Sequence, residues 1–97
     1  MLHIYKYLFA GDIHAVIVTV SELIGTDWSR LVSRLDPKID TDAIQAQNQN
    51  NLFKQAKAGL KQWANNHTAD ATVANLIRNL KAIGRNDVVL AIEKEHQ

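Results

Sequence analysis

Histidines and carboxylates are the side chains of this chain that could move protons or hold a metal ion. There are four histidines and ten acidic residues among 97. A zinc centre needs three or four ligands that converge, and helices supply them at regular spacing, as in H-E-x-x-H. His3, His14, His67 and His96 offer no such pattern, since none lies three or four residues from another. Asp36, Asp40 and Asp42 are close in sequence, but no glycine-centred calcium loop surrounds them. There is no cysteine, so neither a thiolate nucleophile nor a disulfide is available. Gly11, Gly25, Gly59 and Gly84 stand alone, which excludes a glycine-rich phosphate cradle, and no G-x-S-x-G elbow occurs. The reading is a chain with no catalytic residue, no metal ligand and no cofactor. Asn66-His67-Thr68 is a glycosylation sequon, read as chance because the start lacks a secretory layout.

The chemistry that remains is the placement of charge. Arg30 and Arg34 lie on the polar side of a short amphipathic stretch, "GTDWSRLVSRLDP". Asp36, Asp40 and Asp42 follow within a few positions, and Lys54, Lys57 and Lys61 recur along a later stretch. Faces of opposite sign on one small domain suit docking onto copies or relatives of itself. The plain alternative is that outward lysines keep a helix soluble and contribute little else.

Six helical patterns must position these groups. Ile13, Val16, Ile17, Val20 and Ile24 form a helical stripe over residues 12–24, although "VIVTV" has strand propensity. Gly25 is its natural stop. Residues 28–35 place Trp28, Leu31, Val32 and Leu35 inward, with Thr26 or Asp27 as cap and Pro37 as terminator. A shorter helix from about 40 to 48 rests on Ile39, Ala43 and Ile44. The longest, about 51–67, sets Leu52, Ala56, Gly59, Leu60 and Trp63 against the three lysines on its other side. A glycine on that inward side implies close approach of another helix. Residues 71–83 carry Val73, Leu76, Ile77, Leu80 and Ile83, with Thr68 or Asp70 as cap, and a last helix begins after Asn86 or Asp87 and carries Val88, Val89, Ala91 and Ile92. No strand is required, so the fold class is all-α with short loops.

Composition sets the class. One core fits a chain of this length, which buries roughly 60–70% of its unfolded surface. Eleven basic against ten acidic residues give a net charge of +1, which argues against a dedicated nucleic-acid binder. The start, "MLHIYKYLFAGD", is too short and mixed for a membrane span. The absence of cysteine fits a reducing, cytoplasmic setting. Residues 1–10 read as an extension or linker and 11–97 as the domain.

In order, "GDIHAVIVTVSELIGTDWSRLVSRL", "AGLKQWANN", "ATVANLIRNL" and "NDVVLAIEKE" resemble the helices of the death domain family. The similarity covers residues 11–95. The resemblance implies a six-helix antiparallel Greek-key bundle that works by homotypic docking. Helices one and four of one copy would meet helices two and three of the next, and asymmetric contacts of this kind build open oligomers. It implies Arg30, Arg34, Asp36, Asp40, Asp42, Lys54, Lys57 and Lys61 as candidate partner-binding residues. It also implies an adaptor that links a receptor complex, or an upstream adaptor, to an initiator caspase in apoptosis or innate immunity. The partners would be death domains of a receptor or adaptor, without membrane insertion or nucleic acid. A death domain of the immune-deficiency type of adaptor is the nearest alternative, and a helical DNA-binding domain is the rival from another class. The sequence leaves the family pattern at Ser33, where a basic residue is usual, and at the Asp36-Pro37 turn.

Overall fold

A computed structural model describes residues 12–96 of the chain. The expected extension at residues 1–10 lies outside the described residues. Six α-helices make up the described part: α1 Ile13–Leu23, α2 Trp28–Leu35, α3 Thr41–Gln47, α4 Leu52–Asn66, α5 Val73–Ala82 and α6 Asn86–Glu95. They form an all-α antiparallel Greek-key bundle.

Tertiary burial overrides the strand propensity in α1. Val16, Ile17, Val20 and Ile24 line one side of that helix and are all buried, so the helical stripe secures more contact than a two-sided strand would. Asp12 starts the helix by accepting the His14 and Ala15 N–H groups at 3.1 and 3.3 Å. Gly25 follows with φ +60, a region that side chains other than glycine enter at a cost.

Two caps differ from the sequence expectation. Neither Thr26 nor Asp27 caps α2 through its side chain; a 3₁₀ turn, Gly25–Asp27, runs straight into Trp28. The Asp27 carboxylate is turned instead to Arg85, at 3.1 Å. The cap of α5 is Thr72, whose Oγ1 accepts the Asn75 N–H at 3.1 Å, and not Thr68 or Asp70. Asn51 caps α4 and Asp40 caps α3, each accepting an N–H three residues on at 3.0 Å.

Helix α4 is the axis of the core, packed against α1, α2 and α3. Helix α1 also meets α6, and α5 lies against α2 and α6. Trp63, Leu60, Leu31, Leu76, Leu80 and Ile17 are fully buried in this centre. Where α2 crosses α4, the close approach expected at Gly59 is present. A Cβ there would stand 2.8 Å from Val32 Cγ2 and 3.4 Å from Trp28 Cζ3. Two residues expected inward are not: Leu52 is 42% exposed and Ala43 is exposed.

Polar ties complete the packing. The indole N–H of Trp28 donates to Gln55 Oε1 at 2.8 Å, and Gln55 Nε2 donates to the Asn48 carbonyl at 2.9 Å. Gln55 is itself buried, so both ends of its amide are satisfied where water is absent. One side chain therefore ties α2, the end of α3 and α4 together.

Candidate functional site

Helices α1 and α4 lie side by side, and the seam between them opens as a groove of about 380 Å³. His14, Ile17 and Val18 line it from α1, spaced one helical turn apart, and Lys57 and Lys61 line it from α4, again one turn apart. Ile17 and Val18 give the groove an apolar floor, and the lysines give it a basic rim. Lys57 is half-buried, and its ammonium stands 5.7 Å from the centroid of the Phe53 ring. That is within cation–π range and holds the charge over α4 rather than free in solvent. Lys54 and Lys61 are exposed on either side. Of the three lysines expected on one face, Lys57 and Lys61 therefore flank a recess, and Lys54 lies outside its lining.

A second charged surface lies on α2 and α3. Arg30 and Arg34 are exposed along α2, with Ser33 exposed between them. Asp40 and Asp42 are exposed at the start of α3. Carboxylates there are favoured by the helix dipole, and Asp40 also serves as the cap.

Asp36 does not belong to that surface. It is only 4% exposed, because the turn at Pro37 folds its side chain back against the end of α4. Its Oδ1 accepts the Lys38 N–H at 3.0 Å, and its Oδ2 faces His67 Nε2 at 2.9 Å. The Lys38 N–H, followed by the His67 and Asn66 side chains, holds the carboxyl below the usual carboxylate range; burial opposes them and is outweighed. Asp36 is thus corrected from an exposed docking residue to an internal anchor.

Sequence reasoning also missed Arg85. Its Nη1 donates to the Ile24 carbonyl at 2.7 Å and to Asp27 Oδ2, and its Nη2 donates to the Leu23 carbonyl at 3.0 Å and to Asp87 Oδ2. Nε donates to Asp87 Oδ1. The hydrogen bonds to Asp87 and then to Asp27 raise the guanidinium further above its ordinary value, against a smaller opposing effect of burial. A cation over the last carbonyls of α1 also suits the helix dipole. The signal available in sequence was Arg85-Asn86-Asp87 after Gly84, a basic–acidic pair at a helix start; its long-range partners leave no local trace. Among the described residues, no three His, Asp or Glu side chains gather as a metal site, and no helix is long and apolar enough to cross a membrane.

A family model described as "Death domain" matches residues 15–96. The chain is also 30% identical over 89 residues to the human FAS-associated death domain protein. That match takes in 89% of this chain and 42% of the human protein.

Proposed function

This chain belongs to the death domain family, a family of protein-interaction modules, and we propose from that membership that it docks onto other death domains through the α1–α4 groove. The observation that carries the reading is the groove itself: an apolar floor of Ile17 and Val18 rimmed by Lys57, Lys61 and His14. Such a recess accepts an acidic helix edge that also offers an aliphatic contact. Asp40 and Asp42, with Arg30 and Arg34 beside them, supply an edge of that kind on the same molecule. Because donor and acceptor surfaces differ, each copy can offer one while using the other, and the contact propagates as an open oligomer.

The domain then works as the homotypic contact of a cytoplasmic signalling adaptor, with no catalytic step. It couples an activated receptor complex, or an upstream adaptor, to an initiator caspase in apoptosis or innate immunity. The likeness to the FAS-associated death domain protein supports this choice of role.

The test is association measured by sedimentation velocity and by capture of candidate death domains. The double substitution Lys57→Glu and Lys61→Glu is expected to weaken association at least tenfold at low salt, with helicity and melting unchanged. Asp40→Lys with Asp42→Lys should do the same, and mixing the two variants should restore contact. Association that survives both pairs of reversals would sink the proposed surfaces.

A further inference from the structure

We propose that Asp36 and His67 form a protonation-set latch, which fastens the α2–α3 loop to the end of α4 more firmly in mild acid than at neutral pH. The argument begins with unequal burial. The Asp36 side chain is 5% exposed and that of His67 is 40% exposed, with 2.9 Å between Oδ2 and Nε2. The carboxylate is therefore sealed inside, while its imidazole partner is open to solvent. Imidazole is the side chain whose charge changes in the mild-acid range. A neutral ring donates one hydrogen bond to the buried carboxylate. A protonated ring keeps that bond and adds the opposite charge, which makes the contact shorter and stronger.

Arg34 at the end of α2, Lys38 and Asp40 on the loop, and Asp70 beyond α4 are all exposed. On α5, which packs against α2, Arg78 is exposed and bonded to Asn75. His67 is the charge that acts on Asp36 through space. Asn66, the neighbouring amide, is neutral.

The loop gives the latch its leverage. Asp36 holds the Lys38 N–H with its side chain, and its own carbonyl accepts the Ile39 N–H at 3.2 Å. Asp40 follows at once as the cap of α3. That helix buries one of its own residues, Ile44. Its placement therefore depends on what anchors either end. Asp40 and Asp42 ride on it, so the latch sets how steadily the acidic edge is presented. This last consequence rests on the docking reading above; the latch itself does not.

Amide hydrogen exchange of the whole chain, followed by NMR at pH 5.5 and 7.5 and corrected for intrinsic rates, tests the latch. Protection at Lys38 and Ile39 should be roughly three- to tenfold higher at pH 5.5 in the wild type. It should be the same at both values in His67→Gln, whose neutral amide donates at any pH. Equal protection at both values in the wild type overturns the latch, as does a pH response that persists in His67→Gln. A change shared by the core amide of Leu60 also overturns it, because that reports global unfolding. Sedimentation of both proteins at the same two pH values separates the two proposals. Since His14 carries a second imidazole in the groove, only the difference between wild type and His67→Gln is read. If the loop responds but that difference is absent, the docking edge is wrong and the latch stands.

Discussion

The contact of α2 with α4 and the contact of α3 with α4 are made by different physics. The first is apolar and interdigitated: Val32 and Trp28 press onto Gly59, and Leu31, Leu60 and Trp63 fill the space around them. The second is sparse. Ile44 and Ile39 are its buried aliphatic residues, and hydrogen bonds hold its two ends, at Asp36–His67 and at Asn48–Gln55. Burial scales with area and resists small changes, whereas a polar tether can be cut or tuned by one substitution or one proton. The module thus carries its acidic edge on its most adjustable helix and its groove on its most fixed one.

This contrast can be broken at several points. Trp63→Ala attacks the fixed side and should cost about 3–5 kcal/mol, read by urea denaturation. A near-wild-type midpoint would show that the core does not centre on α4. Gln55→Ala strikes where the two sides meet, leaving the buried Trp28 indole N–H without an acceptor. A loss of about 1–3 kcal/mol is expected. Gly59→Ala gains about 1 kcal/mol of helix propensity but forces Val32 aside, at about 1–3 kcal/mol. A net loss in thermal melting is expected, and a gain would mean that α2 can slide.

Acid titration probes the tethered side. The Asp36 carboxyl sits below its unfolded value, so its contribution is present above about pH 4 and disappears as pH falls through the lower, folded value. Unfolding free energy followed from pH 5 to pH 2 should fall less steeply in Asp36→Asn than in the wild type. Identical slopes would remove Asp36 as an anchor. Lys57→Glu with Lys61→Glu should move stability by no more than about 0.5 kcal/mol. A large drop would make those lysines part of the fold rather than of a docking surface.

The six helices were legible because each carries an apolar stripe of the right period, and Gly59 was legible because a glycine on an inward face has few other uses. Ends were harder. Asp27, Thr68 and Asp70 all look like caps in sequence, and the chain caps α5 with Thr72 and spends Asp27 on Arg85. Which oxygen reaches which N–H depends on turn geometry that spacing does not encode. Asp36 looked like a surface charge because acidic residues beside a proline usually are. Its burial follows from a partner 31 residues away. Gln55 carried no signal, since a glutamine between lysines on an amphipathic helix reads as surface. The lysines recur along one stretch of sequence, but the recess that Lys57 and Lys61 line exists only because α1 lies beside them.

Thr19 Oγ1 meets His96 Nε2 at 2.7 Å, and 77 residues separate the two in the chain. Together with the grip of Arg85 on Leu23 and Ile24, it joins the first helix to the last. In kinetic terms, α1 closes its two sides at different moments. The side that faces α4 can form once the middle of the chain is made. The side that faces α6 waits for the longest loop among the described residues, and closing a longer loop costs more entropy. During synthesis this hydrogen bond cannot form until residue 96 exists. Until then, the first helix offers an unfinished edge to any other chain at the same stage.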